Sequence, residues 1–312
     1  MRAFAHPVRL AIIAAAASAC IPAAAPVAPA PDPGARYRVV AADSRQETTF
    51  EHMAAQLSRA KVVFVGEQHD DPATHAAEVE LLHAIGGSGR PVVLSLEMFE
   101  RDVQDALNDY LAGRVTEEQF LARSRPWPRY ATDYRGLVEL AKKRGWRVIA
   151  ANVPRPMASA VGRAGLAVLD TLSVPGRAHA AAELSCPNDD YRARFLAETR
   201  SHSAGSGPAP QPGDTLPTAL AERFYLAQCV KDETMAESIV AALRAAPRNA
   251  IAVHYNGSFH SDYGQGAAAR VARREPSWKL AIVTAIPARD PALAPVAPNA
   301  GRADFLIFTR RD

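Results

Sequence analysis

The sequence predicts an α/β fold: a mainly parallel sheet flanked by helices, with a smaller helical domain or lid. Six apolar runs predict the strands, because continuous rather than alternating apolarity is typical of strands covered on both faces. These runs are residues 61–65, 92–96, 148–151, 250–253, 280–283 and 305–308. Helical patterns occupy residues 72–86, 101–112, 116–124, 133–145, 155–172, 217–245 and 263–274. Strands that alternate with helices indicate a layered α/β domain.

The composition is that of a globular protein without a nucleic-acid-binding surface. Apolar residues make up 48% of the 312 residues and charged residues 22%, which excludes a chain that is disordered throughout. The 36 basic residues nearly balance the 33 acidic ones, and the arginines are scattered along the chain. Because nucleic-acid binders concentrate Lys and Arg on one patch, we expect no nucleic-acid partner.

The first residues have the pattern of a targeting segment followed by a spacer. In residues 1–19, two arginines precede a short apolar core and then small residues, which predicts a secretory signal peptide. Ala17-Ser18-Ala19-Cys20 resembles a bacterial lipobox and predicts lipidation of Cys20, with simple cleavage after a later alanine as the alternative. Residues 20–36 are rich in Pro and Ala and predict an extended tether. We therefore expect a periplasmic, outer-membrane lipoprotein held to the membrane by a lipid anchor.

The rest of the chain divides into a core and an excursion from it. Residues 37–153 and 246–312 carry the strand–helix alternation and predict the α/β core. Residues 154–245 interrupt it and predict a mostly helical excursion, in which the Gly-, Ser- and Pro-rich residues 201–216 form a flexible insert.

Two further cysteines, Cys186 and Cys229, lie in this excursion. In an oxidising compartment a disulfide between them can persist. Two buried free thiols are the alternative, and the sequence does not decide between them.

Polar residues follow several of the predicted strands. Gly66-Glu67-Gln68-His69 and Gly257-Ser258-Phe259-His260 share the spacing Gly-x-x-His, and Glu97 follows a third strand. A glycine there allows a sharp turn off the strand. Because the carboxyl ends of the strands of an open α/β sheet meet at one crevice, we expect both histidines and both glutamates to meet there.

Glu67, His69, Glu97 and His260 allow more than one chemistry. Two imidazoles and two carboxylates suit a divalent metal ion, and they equally suit a metal-free general acid and base. Taken singly, each histidine is as well explained as a hydrogen-bonded structural residue, and each glutamate as an anion at a helix N-terminus. His75, six residues after His69, either reaches the same crevice or faces solvent.

A set of short strings, in order along the chain, resembles one known family. They are Gly66-Glu67-Gln68-His69-Asp70-Asp71-Pro72, Leu96-Glu97-Met98-Phe99-Glu100-Arg101-Asp102-Val103-Gln104, Tyr110-Leu111-Ala112-Gly113, Trp127-Pro128-Arg129-Tyr130-Ala131-Thr132-Asp133-Tyr134-Arg135, Ile149-Ala150-Ala151-Asn152-Val153-Pro154-Arg155, Asp232-Glu233-Thr234-Met235-Ala236 and Asn256-Gly257-Ser258-Phe259-His260. Together they resemble the ChaN-like haem-binding uptake lipoproteins of the Tiki superfamily, from about residue 58 to 275. That superfamily also contains Tiki proteases and erythromycin-esterase-like proteins.

The resemblance implies a parallel sheet, a smaller helical domain, and haem bound in a homodimer through an iron-ligating side chain such as Tyr. One stretch departs from the family pattern, since Thr74-His75 and Glu78 stand where paired histidines and a Gln are expected.

Candidate haem contacts follow from this implied cofactor. Tyrosinate and imidazole are usual axial ligands of haem iron. Tyr130, Tyr134 and Tyr263 are therefore candidate ligands, beside the histidines of the two motifs. Arg129 and Arg135 could hold the haem propionates. For any one of these tyrosines, a buried aromatic role is the alternative.

Three functions follow from this sequence. The preferred one is an exported haem-binding protein that serves haem and iron uptake without turning over a substrate. The alternative is a hydrolase that uses the His/Glu set, with or without a divalent metal. The third is a periplasmic binding module for another ligand.

Overall fold

A computed structural model describes residues 36–203 and 218–311. The predicted signal peptide, most of the tether with Cys20, and residues 204–216 of the predicted insert lie outside these described residues. One eight-stranded sheet organises the chain, with strand order β2-β1-β8-β7-β3-β6-β4-β5. The strands are β1 (Tyr37–Ala41), β2 (Gln46–Thr48), β3 (Val62–Glu67), β4 (Val92–Glu100), β5 (Arg147–Asn152), β6 (Ile251–Gly257), β7 (Leu280–Ala288) and β8 (Phe305–Arg310).

The parallel sheet is confirmed. Each of the six apolar runs coincides with one of the strands β3 to β8 to within one residue at its start, and neighbours among these strands pair in parallel. The two further strands, β1 and β2, add an antiparallel edge next to β8.

Helices cover both faces of the sheet. They are α1 (Phe50–Leu57), α2 (Pro72–Gly86), α3 (Gln104–Leu111), α4 (Glu117–Ser124), α5 (Arg135–Arg144), α6 (Arg155–Ala164), α7 (Val174–Arg177), α8 (Asp190–Ser203), α9 (Thr218–Arg244) and α10 (Gly266–Arg274). All seven predicted helical segments contain one of these, whereas α1, α7 and α8 were not predicted. The bounds predicted for α2 agree with the structure, because Asp71 caps its first turn and Pro72 occupies its first position.

The strands are apolar along their whole length because each side of the sheet has its own core. Val63 and Val65 of β3 pack on the side of α2 and α5, whereas Val62 and Phe64 pack on the side of α9 and α10. Side chains that alternate along a strand are therefore buried on both faces.

The segment predicted as a helical excursion contains α6 to α9. The second half of α9 packs directly on the sheet through residues such as Met235 and Ile239, so this helix belongs to one of the two main cores. The division into a core and an excursion stays a prediction.

Cys186 and Cys229 form a disulfide that ties the loop before α8 to the middle of α9. Within residues 36–203 and 218–311, no helix is both long enough and apolar enough to cross a membrane.

The topology brings three strand ends together. β6 lies between β3 and β4, and the parallel register places Glu67 of β3 opposite Gly257 of β6. Glu97 lies on β4, on the other side of β6. Residues that are far apart in the chain therefore meet at one edge of the sheet.

Candidate functional site

Glu67 anchors one side of this edge. Its Oε1 atom accepts hydrogen bonds from His69 Nδ1 at 2.5 Å and from the Tyr134 hydroxyl at 2.8 Å. The Glu67 side chain is buried, whereas 47% of the His69 side chain is exposed. The His69 ring also meets Trp127 edge to face, with centroids 4.8 Å apart. His69 is thus an accessible imidazole fixed by a buried carboxylate.

The surrounding carboxylates determine the charge of His69. Partial burial by itself lowers the pKa of His69, but the hydrogen bond that His69 donates to Glu67 and the negative charges of Glu97 and Glu67 outweigh it. The net effect raises the pKa of His69. The protonated imidazole is therefore favoured relative to a histidine in water.

His260 forms a second histidine–carboxylate group, and this one is buried. Its Nδ1 lies 2.6 Å from Asp232 Oδ1 on α9, and its Nε2 lies 3.3 Å from Glu97 Oε1 on β4. Burial alone would lower the pKa of His260, but the charges of Glu97 and Asp232 raise it to about 9. In turn, burial disfavours the Glu97 carboxylate, yet the His260 charge holds the pKa of Glu97 well below its usual range. The group is a buried ion pair with two carboxylates around one imidazolium.

Gly257 joins the two groups into one crevice. Its backbone N–H donates to Glu97 Oε2 at 2.8 Å. A Cβ atom at this position would lie 2.8 Å from His69 Nε2 and 3.8 Å from Glu97 Oε2. Because Gly257 has no side chain, the His69 ring can pack directly against its backbone.

The motif glycines are needed for close packing rather than for a left-handed turn. Neither Gly66 nor Gly257 has a positive φ angle. A Cβ on Gly66 would lie 2.9 Å from the Cα of Ser258, so the two Gly-x-x-His segments cross in contact. The predicted turn off the strand occurs directly after Gly257, where Ser258–His260 form a 3₁₀ turn, whereas β3 continues past Gly66 to Glu67.

The structure brings together all four residues predicted for the crevice, namely Glu67, His69, Glu97 and His260. Their catalytic, metal-binding or haem-binding roles stay predictions. His254, one strand position beyond the predicted end of its run, lies inside β6 and bonds through Nδ1 to the Ser95 hydroxyl at 2.8 Å. Burial lowers its pKa to about 4, so it is neutral near pH 7.

The tyrosines and arginines predicted as haem contacts differ in how exposed they are to solvent. Tyr130 and Tyr134 are buried in the core, and burial raises the pKa of both hydroxyls well above the usual range. Tyr263 is 46% exposed. Arg129 donates to the backbone oxygen of His69 at 3.1 Å, whereas Arg135 pairs with Glu117. Tyr263, Arg129 and Arg135 are the accessible members of this set, although Arg129 also pairs with Asp133.

Sequence reasoning missed an inner layer of polar residues behind Glu67. His75 does not face solvent: its Nδ1 lies 3.0 Å from Glu78 Oε2 and its Nε2 lies 3.4 Å from Asp133 Oδ2. Burial, reinforced by the charge of Glu67 and a hydrogen bond with it, raises the pKa of Glu78 well above its usual value. The available signal was Glu78 itself, a carboxylate three residues after His75 on an otherwise apolar helix face.

Asp232 was the other residue that sequence reasoning left without a role. Its two oxygens take different partners, since Oδ1 accepts from His260 and Oδ2 accepts from the Tyr191 hydroxyl at 2.7 Å. Two adjacent carboxylates, Asp232 and Glu233, in the middle of a helix that packs on the sheet were the sequence signal for this position.

The metal ligands predicted for the crevice are engaged with each other. His69 Nδ1 and His260 Nδ1 are both bonded to carboxylates. In the described part of the chain, the ligand atoms of Glu67, His75 and Glu78 are the group that lies within 4.8 Å of one another. Of the predicted metal ligands, only Glu67 belongs to this group.

The fold and the site define an α/β protein with a crevice of paired histidines and carboxylates at the carboxyl edge of its sheet. The chain belongs to the family described as haem-binding uptake, Tiki superfamily, ChaN, whose model matches residues 53–271. The family membership predicted from residues 58 to 275 is thus confirmed.

Two known proteins illustrate this relationship. The fold is similar to that of ChaN of Campylobacter jejuni, with a TM-score of 0.67 and 15% sequence identity over 88% of this chain and 97% of that chain. The sequence is 26% identical over 246 residues to Protein RETICULATA-RELATED 5, chloroplastic, of Arabidopsis thaliana. That match covers 75% of this chain and 32% of the plant protein, so the chain spans about a third of the length of this curated relative.

Proposed function

We propose that this protein binds haem at the crevice, where His69 would ligate the iron, and serves haem or iron uptake. The observation that carries the proposal is the state of His69. Its Nδ1 is held by Glu67, its side chain is half exposed, and its Nε2 edge packs against Gly257 without a protein hydrogen bond among the described residues. A histidine that ligates a metal through one nitrogen commonly donates through the other to a carboxylate.

Other residues around His69 suit a haem. Bound haem would supply an iron centre that accepts an axial nitrogen or phenolate ligand. Trp127 offers an aromatic wall beside His69. The Arg129 side chain is 44% exposed and pairs with Asp133 through Nε, which leaves its terminal nitrogens to meet a propionate. Tyr263 is the accessible phenol and the rival ligand.

Location and assembly are part of the same proposal. A cleaved or lipidated N-terminus at Cys20 would place the protein in the periplasm, anchored to the outer membrane. The Cys186–Cys229 disulfide supports export, because disulfides persist in oxidising compartments. The structure of Campylobacter ChaN is described as cofacial haem binding, which supports a homodimer in which two haems face each other.

The test is a haem titration followed by absorbance at the Soret band. Wild type should give a saturable shift, and His69→Ala should weaken it at least tenfold. His52→Ala removes an exposed imidazole on α1 and should change nothing. A loss in Tyr263→Phe with full binding in His69→Ala would reassign the ligand, and an absence of any shift in wild type would overturn the function.

The buried ion pair favours a second candidate, a hydrolase. His260 is held charged near pH 7 by Glu97 and Asp232, and such a group can act as a general acid. His69 with Glu67 would then supply the base. Hydrolysis of a series of ester and amide substrates that is abolished in both His69→Ala and Glu97→Ala, with no haem binding in wild type, would favour this candidate.

A further inference from the structure

Behind the crevice lies a second group of side chains, on the core side of Glu67. It consists of the Glu67 carboxylate from the end of β3, together with His75 and Glu78 from α2. The positions i and i+3 on one helix place the imidazole and the carboxylate of α2 on the same face. Glu67 and Glu78 are 1% and 2% exposed, and His75 is 2% exposed, so the whole group is sealed from solvent.

Two oxygen atoms of this group are buried beyond the reach of any N–H or hydroxyl donor in residues 36–203 and 218–311. Glu67 Oε1 is occupied by His69 and Tyr134, whereas its Oε2 atom accepts no hydrogen bond from an N–H or hydroxyl donor of the described residues and lies 3.6 Å from His75 Nδ1. Glu78 Oε1 is likewise buried and reached by no such donor. Buried carboxylate oxygens are costly unless a cation or a donor satisfies them. Two groups could satisfy both oxygens: a proton shared between the two glutamates, as the raised pKa of Glu78 allows, or a metal ion.

The cationic side chains near the group do not place a positive charge between the two glutamates. Arg129 is committed to Asp133, with Nε 2.6 Å from Oδ2. His69 is committed to the other oxygen of Glu67. That leaves the His75 ring to face both unsatisfied carboxylates.

We propose that Glu67, His75 and Glu78 bind a divalent first-row transition metal ion of the Zn²⁺ type. Their ligand atoms lie within 4.8 Å of one another, which is close enough for one ion to join them. One imidazole and two carboxylates suit Zn²⁺ or its neighbours, whereas Mg²⁺ and Ca²⁺ prefer oxygen ligands throughout.

The surroundings of His75 match this assignment. With Nδ1 toward the ion, its Nε2 faces Asp133 Oδ2 at 3.4 Å and the backbone oxygen of His69 at 3.3 Å. A ligating histidine commonly donates its other N–H to a carboxylate or a carbonyl in this way, which fixes the ring orientation. The site lies behind the crevice and does not depend on haem, because neither His75 nor Glu78 is among the proposed haem contacts.

The experiment uses the full chain after removal of metal with EDTA. Titration with Co²⁺, followed by its visible absorption, should show one equivalent bound, and Zn²⁺ should displace it. Glu78→Gln should weaken Co²⁺ binding by more than about 100-fold, since loss of an outer-shell partner alone costs about 10–100-fold. Glu80→Gln makes the same chemical change at an exposed position of α2 and should bind like wild type.

Further outcomes separate this site from the crevice. His69→Ala should retain one equivalent of Co²⁺, and wild type should gain thermal stability when Zn²⁺ is added. Binding lost in His69→Ala and His260→Ala but kept in Glu78→Gln would move the ion to the crevice and overturn the proposal. An absence of binding, with an infrared band of a protonated carboxyl that disappears in Glu78→Gln, would show a shared proton instead and also overturn it.

Discussion

His260 and Asp232 form a buried ion pair in which Nδ1 lies 2.6 Å from Oδ1. His260 follows β6, and Asp232 lies in the middle of α9, so the pair fastens this helix to the carboxyl edge of the sheet. The disulfide holds the same helix at Cys229, one turn before Asp232. The position of His260 in the crevice therefore depends on where α9 lies.

The charge of His260 predicts how stability changes with pH. Its pKa rises from an ordinary value of 6.5 to about 9 on folding, so the folded state binds this proton more tightly. The resulting stabilisation is present in full below pH 6.5 and is lost as the pH rises through 9. Its upper size is about 3 kcal/mol, from about 1.4 kcal/mol per pKa unit. Urea unfolding at pH 6, 7.5 and 9.5 measures the loss.

Asp232→Asn is the matched variant for this effect. It keeps the shape of the side chain but removes one of the two charges that raise the pKa of His260, so the fall in stability between pH 6.5 and 9 should shrink. His52→Ala should retain the wild-type fall. A free energy of unfolding that stays constant over this range in wild type would contradict a charged His260.

Gly257→Ala should disturb the crevice while the fold survives. The added Cβ would lie 2.8 Å from His69 Nε2 and 2.9 Å from Cε1, so the exposed ring must move away. We expect haem binding at least tenfold weaker than in wild type and the same far-ultraviolet circular dichroism.

Gly162→Ala on α6 is the control, since its Cβ would meet Phe224 at an ordinary 3.6 Å. It should leave haem binding unchanged and stabilise the helix by up to about 1 kcal/mol. Equal haem affinity in Gly257→Ala and wild type would show that the ring position at His69 does not matter.

Much of the fold could be predicted from sequence because burial on both faces makes the inner strands apolar along their length. The antiparallel edge was missed for the opposite reason: β1 is half-buried and β2 is a three-residue polar strand. α8 was missed because charged residues are distributed around much of it, so it lacks a clear apolar stripe.

The site was predictable only where it follows the strands. Glu67, His69 and His260 could be found because parallel strands end at one edge. The adjacent Asp232 and Glu233 marked a buried polar position, but the contact of Asp232 with His260 depends on how a long helix crosses the sheet. The contacts of Asp133 depend on a π-helical turn before α5. Such packing is long-range, and no local pattern of residues determines it.

Tyr134→Phe tests whether this buried tyrosine is structural. Its hydroxyl donates to Glu67 Oε1 at 2.8 Å, and removing a hydrogen bond to a buried charged group costs about 1.5–3 kcal/mol. We expect urea unfolding to show that loss, while the Soret titration stays within about twofold of wild type. Complete loss of the haem spectrum at unchanged stability would instead make Tyr134 a ligand.

The disulfide should contribute strongly to stability, because it closes a loop with a sequence separation of 43 residues. In the chain-entropy model a loop of this size is worth about 4 kcal/mol, and measured effects commonly fall between about 2 and 4 kcal/mol. Cys186→Ala/Cys229→Ala should lose this amount in urea unfolding and should no longer respond to dithiothreitol, which should destabilise wild type to the same level. Because Cys229 lies one turn from Asp232, the same variant should also reduce the fall in the free energy of unfolding between pH 6.5 and 9 that arises from His260. A variant that loses stability but keeps the full fall between pH 6.5 and 9 would show that the ion pair holds α9 in place without the disulfide.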